Sequence, residues 1–323
     1  MSRLGFAGVS VVCGVLAAGP YLLVLTGSTV SMILVYLAQL PLFAAGLWLG
    51  TGASASAGFV AALILAGSGS LLAAALFAAL NVVPVVLLVR QSLLARAGPR
   101  NAVDGNALDG NAVDGNAVDG NTVEWYPPGL MTAWLTGLGL AAAVVTFVFL
   151  GGPQATQAAL REALAPALDR HRGELPPELD ELLTFIAFIL PGIVATSWMV
   201  MTATNGSLAQ GLLARFGASW RPSPDLAALG LPMWIPALLA FAAASTFFGG
   251  TARFIGVNVL IVLAVPFCLA GLAVLHTVAR RFPRPAVTLV TFYLLAGVLG
   301  WPLLLIALLG LLDSPLGLRR RFA

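Results

Sequence analysis

The chain has 323 residues, 59% of them hydrophobic and only 9% charged, with a mean hydropathy of +0.97. A water-soluble domain carries roughly 25% charged residues, so this composition excludes a solvated globular surface and leaves lipid as the solvent. The net charge is +3, every basic residue is an arginine, and no stretch has the basic density that nucleic-acid binding needs.

A transmembrane helix takes about 20 mostly apolar residues, because each rises ~1.5 Å through a ~30 Å hydrocarbon core. From Leu4 to Val89 no residue carries a formal charge. That is room for four spans, divided by turn-forming residues at Gly27-Ser28-Thr29, Gly50-Thr51-Gly52 and Gly67-Ser68-Gly69-Ser70. Helices are predicted at 4–26, 30–49, 53–67 and 70–95, with Pro41 and Pro84 inside the second and fourth. The apolar run after Arg3 continues past Ala17 and Ala18, so it reads as a retained first span rather than a cleaved leader.

Residues 101–121 repeat the pentapeptide Asn-Ala-Val-Asp-Gly, with Leu108 replacing one valine. Asp104, Asp109, Asp114 and Asp119 recur in glycine-rich turns, as calcium sites do. The period is wrong for a calcium-binding roll, and four copies are too few for a stable solenoid. The segment reads as a low-complexity linker between an N-terminal membrane part, 1–100, and a C-terminal one, 122–323.

After it, Glu124-Trp125-Tyr126-Pro127-Pro128-Gly129 combines interface-seeking aromatics with a rigid proline pair ahead of a fifth helix at 129–151. Further helices are predicted at 182–214 with a kink at Pro191, from near Met233, at 254–279, and at 285–312 with an interruption at Gly300-Trp301-Pro302. Between the fifth and sixth, the charged stretch 153–181 places Leu160, Leu164 and Leu168 one turn apart. It reads either as an interfacial amphipathic helix, interrupted near Pro166 and ended by Gly173, or as a solvated connector. No window alternates with period two. The fold class is therefore an all-α polytopic bundle of eight or nine spans. Arginines beside span ends favour a cytoplasmic N-terminus. The cluster Arg319-Arg320-Arg321 conflicts with nine crossings; either a re-entrant last segment or the merging of two short early helices gives eight, with both ends inside.

Span interiors hold few polar groups: Gln39, Asn81, Asn205, Asn258 and His276. An amide in a span usually packs between helices and bonds a backbone carbonyl; its alternative is to line a cavity. With Tyr36 beside Gln39, and Glu124 and Trp125 at the mouth of the bundle, these are the candidate cavity or interface residues. Nothing points to a catalytic centre, a cofactor or a metal. Cys13 and Cys268 read as small apolar residues, and no carboxylate is expected at the centre of a span, which argues against an internal proton carrier. Two stripes of small residues, Ser10/Gly14/Ala18 and Ala53/Ala57/Ala61, suit close helix packing, either within the bundle or against a partner.

Taken in order, Leu40 to Gly46, Glu124 to Gly129, Asn205 with Leu208-Ala209-Gln210, Asn258 with Val265-Pro266-Phe267 and Gly271 to His276, and Gly300-Trp301-Pro302 resemble the YybS-like family of polytopic bacterial membrane proteins. The resemblance covers nearly the whole chain except 101–121. It implies a multi-pass protein of a bacterial inner membrane, distantly similar to the S-components of energy-coupling-factor vitamin transporters; the same helical core resembles that of the rod-shape protein MreD. A solute-binding or transport-related protein with an S-component-like core in the first six helices, its site between helices on the outer side, is the first expectation, with a membrane partner supplying energy and a ligand the sequence does not name. A scaffold of envelope assembly is the second. The lipid bilayer is the surrounding partner in both; nucleic acid is not a partner, and enzymatic activity is not expected.

Overall fold

A computed structural model describes residues 3–24, 27, 29–97, 123–168, 177–225 and 228–322. The pentapeptide repeat lies outside them. The chain forms two compact units. Unit 1 comprises 1–127 and 204–224; unit 2 comprises 128–203 and 225–323.

Unit 1 begins with α1 (Arg3–Val24), α2 (Thr29–Val35), α3 (Gln39–Leu49) and α4 (Thr51–Gly67). The second predicted helix is thus two. Ahead of Pro41, Tyr36, Leu37 and Ala38 make tight i→i+3 bonds to Ile33, Leu34 and Val35. The proline ring would collide with a carbonyl one turn back, so the chain tightens instead. Then come α5 (Leu71–Phe77), a π-helical turn (Ala78–Val82) and α6 (Val83–Ser92), continuous through Leu71–Ser92. The π turn lies immediately before Pro84, where the ring again disturbs the regular ladder.

The two small-residue stripes meet inside this unit. A side chain built at Gly14 would stand 2.6 Å from the Ala57 carbonyl. Ala17, Ala18, Ala53, Ala57 and Ala61 are fully buried. Missing side chains let the two backbones touch, and dispersion then acts over the whole contact.

After α6, strands β1 (Ala95–Ala97) and β2 (Val123–Trp125) pair antiparallel, with Ala97 opposite Val123. The region expected to start the C-terminal part therefore closes a hairpin onto the end of the N-terminal part.

In unit 2, α7 (Pro128–Leu150) is followed by α8 (Gly152–Leu168). α8 runs through Pro166 to Leu168 rather than stopping at it, and Gly173 lies outside the described residues. α9 (Pro177–Arg215) supplies residues to unit 2 through Ala203 and to unit 1 from Thr204. It begins earlier than its apolar window, because Pro177 suits a first turn and Glu178 and Asp180 complement the positive helix end. α10 (Trp234–Ser245), α11 (Gly250–Ala279), α12 (Pro285–Leu299), α13 (Pro302–Leu316) and the short α14 (Leu318–Phe322) complete the chain.

Among the described residues, six stretches are long and apolar enough to cross a membrane, seven if α12 and α13 count as one broken span. Eight or nine were expected because Thr51–Gly67 and Trp234–Ser245 were included. At 17 and 12 residues these helices are short; the second reaches only about 18 Å at 1.5 Å per residue. α12 and α13 meet at a bend of 119° about Gly300-Trp301, as the interruption predicted.

Candidate functional site

Unit 1 brings Gln39, Asn81, Asn205 and the Tyr36 backbone to the irregular turns of its helices. Gln39 and Asn81 are almost wholly buried and face each other: Gln39 Nε2 donates to Asn81 Oδ1 at 3.3 Å, and Asn81 Nδ2 to the Tyr21 hydroxyl at 3.0 Å. Gln39 Nε2 also points at the Leu80 carbonyl, 3.4 Å away and four residues before Pro84. Asn205 Nδ2 donates to the Tyr36 carbonyl at 2.6 Å. That carbonyl belongs to the turn ahead of Pro41, where Leu40 N–H donates to Leu37 instead. Both amides thus serve carbonyls that a proline-disturbed helix leaves without their usual donor, a costly omission where water is absent.

Glu124 and Trp125 sit on β2. Glu124 accepts from Arg96 Nε at 2.7 Å across an exposed ladder, a geometry that contributes little to stability. The buried polar residue nearby is Arg221, which sequence reasoning did not single out. It is 6% exposed and donates to the Ser92 carbonyl at 3.1 Å and the Tyr126 carbonyl at 2.8 Å. Burial pushes its guanidinium below the ordinary arginine value. The negative end of α6, where Ser92 lies, compensates its charge.

In unit 2, Asn258 bonds three backbone groups. Its Nδ2 donates to the Phe188 and Phe254 carbonyls, each at 2.9 Å, and its Oδ1 accepts the Gly192 N–H at 2.7 Å. His276 meets the Tyr293 hydroxyl at 2.8 Å on a partly exposed face. Neither adjoins the cleft described next.

A cleft with charged side chains lies elsewhere in unit 2. It has a volume of about 1140 Å³ and runs between the 228–236 segment, α11 and the end of α13. Its walls are apolar, with Met233, Phe267, Ala270 and Leu311 among them, and Asp313, Arg319 and Arg321 are its charged side chains. Asp313 is 5% exposed. Arg319 reaches its Oδ2 through Nε at 2.7 Å and through Nη2 at 2.6 Å, and Nη2 also donates to the Leu229 carbonyl at 2.7 Å. Asp313 Oδ1 accepts the Arg319 backbone N–H at 3.0 Å, which fixes the corner between α13 and α14. Gly317 makes that corner possible: its φ of 60° and ψ of 40° are left-handed, a conformation that suits glycine.

The depth of this ion pair follows from the packing of α13 on α11. Gly310 lies against the Phe267 carbonyl and Gly271 against the Ile306 carbonyl, so the helices run antiparallel in backbone contact. Phe267 is at the middle of the charge-free stretch between Arg253 and Arg280. Asp313, three residues past Gly310, is displaced from that level by about 4.5 Å at 1.5 Å per residue. A carboxylate and a guanidinium therefore sit near the mid-level of α11. The sequence placed no carboxylate at a span centre because Asp313 falls just past the last charge-free window. The available signal was that Asp313 is the sole acidic residue after Asp225.

Residues 131–314 match a family described as "Predicted membrane protein (DUF2232)". The chain belongs to this family. No curated protein and no solved structure matches it. The part shared with this membrane-protein family includes Asn258, the α11–α13 contact and Asp313; Arg319 and Arg321 lie beyond it. Among the described residues, no three His, Cys, Asp or Glu side chains gather to hold a metal ion.

Proposed function

We propose that this protein is a solute-binding, transport-related multi-pass protein of a bacterial inner membrane, with its solute in the unit 2 cleft beside Asp313 and Arg319. The observation that carries the reading is a buried ion pair, near the mid-level of α11, opening on a cleft of about 1140 Å³. Ionisable groups at such depth are expensive and mark solute or ion pathways in membrane proteins. The cleft is slightly larger than the 300–1,000 Å³ usual for small-molecule sites, and like them it is mainly apolar with a few convergent polar groups. The resemblance to the YybS-like family, and through it to energy-coupling-factor S-components, supports a partner that supplies energy, since the sequence has no phosphate-binding loop of its own. The site moves relative to the sequence reading: Gln39 and Asn81 bond each other, and the cleft lies in unit 2.

The close glycine–alanine packing of α1 on α4, with amides turned on their own backbone, favours a second reading as an envelope scaffold akin to the rod-shape case. A solute screen by thermal stabilisation of the full chain in nanodiscs, with affinity purification in mild detergent, separates the two. Binding that Met233→Trp at the cleft rim weakens, with co-purification of an ATPase pair, supports transport. A cell-wall synthesis partner and no stabilising solute support the scaffold.

A further inference from the structure

We infer that the cleft of unit 2 takes an organic anion with an apolar body, its negative group paired with Arg321; this rests on the solute-binding reading above. Among the described residues three charged side chains line the cleft, and two of them form the Asp313–Arg319 pair. Arg321 is exposed in the same cleft, and among the described residues no carboxylate pairs with it. Among these side chains Arg321 is the cation without a carboxylate. α10 reinforces that sign. It starts at the cleft, where Met233 and Pro236 are lining residues, and no side chain caps its N-terminus. The partial positive charge of that helix end faces the same space.

The rest of the lining sets the other half of the ligand. Met233, Pro236, Phe267, Ala270 and Leu311 offer carbon rather than hydrogen-bonding groups. A small inorganic anion would leave these walls unfilled, and a neutral apolar molecule would make no use of the Arg321 charge. Asp313 repels a second negative charge, so a monoanion fits better than a dianion. Arg319 is already committed to Asp313 and to the Leu229 carbonyl, so it holds the cleft floor and the ligand's anion falls to Arg321.

The test uses the full chain in phosphatidylcholine nanodiscs and three probes of one shape: 4-phenylbutyrate, 4-phenylbutanol and 4-phenylbutylamine. Isothermal titration should show the acid binding roughly tenfold or more tighter than the alcohol, as one charge-assisted contact warrants, with the amine weakest. Arg321→Glu should remove that preference, and Arg321→Lys should keep most of it. Native mass spectrometry of protein extracted from its own membrane identifies the source: a retained phosphatidylglycerol lost in Arg321→Glu makes the natural anion a lipid, and a retained soluble acid makes it a solute. Equal binding of acid and alcohol, or a preference unchanged in Arg321→Glu, overturns the anion while leaving the cleft a binding site. Binding of none of the three removes both the anion and the cleft reading.

Discussion

Asn258 stands between Phe188 and the backbone of Gly192. In a regular helix the N–H at 192 and the carbonyl at 188 belong to one turn. Gly192 N–H donates to Asn258 Oδ1 while Asn258 Nδ2 donates to the Phe188 carbonyl, so one carboxamide serves both groups of that turn. Pro191 lies between the two residues. The side chain of one helix thereby bonds the backbone of another on both sides of its proline and ties α11 to α9.

Asn258→Leu should destabilise the protein by about 1–3 kcal/mol, the cost of leaving buried backbone groups unmatched. Pro191→Ala in that background should recover much of the loss, because it restores the N–H that the proline removes and lets this turn of α9 regularise. Thermal unfolding in detergent of the wild type, both single variants and the double variant measures the coupling. Strictly additive effects would show that asparagine and proline do not act on the same turn.

Gly310→Ala and Gly271→Ala should each be strongly destabilising. The added methyl groups would run into the Phe267 and Ile306 carbonyls, which belong to backbone and cannot swing aside. Overpacking of this kind costs about 1–3 kcal/mol. Gly297→Ala, where nothing stands within 4 Å, is the control. A control as damaging as the two variants would mean that glycine flexibility, rather than close approach, is what matters.

Asp313→Asn should cost about 3–5 kcal/mol, because Arg319 keeps its charge in a buried place without the carboxylate. Arg319→Gln in addition should restore part of the stability by removing the uncompensated cation. Melting curves of the three variants read this directly. An Asp313→Asn protein as stable as the wild type would place Arg319 in contact with water.

Deleting 101–120 should leave insertion and folding unchanged. Ala97 and Val123 already face each other in the β1–β2 ladder, so the chain leaves and returns at one place. Membrane fractionation and the melting temperature of the deletion variant check this; absence of the variant from the membrane would give the repeat a structural role.

Much of the architecture was legible because lipid imposes a coarse rule. Charge-free windows separated by glycine, serine and arginine located most of the helices, and Gly300-Trp301-Pro302 announced the bend between α12 and α13. The division of the second helix before Pro41 was not visible, since tolerance of a proline depends on a neighbour such as Asn205, far away in sequence. The site was read least well. Buried amides attracted attention, yet their partners are carbonyls in distant turns, which leave no mark in composition. Asp313 lay just outside an apolar window, and only the register of α13 against α11 moves it to depth. Arg319 looked like part of a topological signal, whereas its carboxylate partner makes it a component of the cleft.

The short ladder at Ala95–Ala97 and Val123–Trp125 has a practical side. Its two ends, Ala97 and Val123, form a doorway of fixed width in the frame. The same doorway is the place to splice a fluorescent domain or an affinity epitope, which would report the sidedness of the bundle while both chain termini stay native.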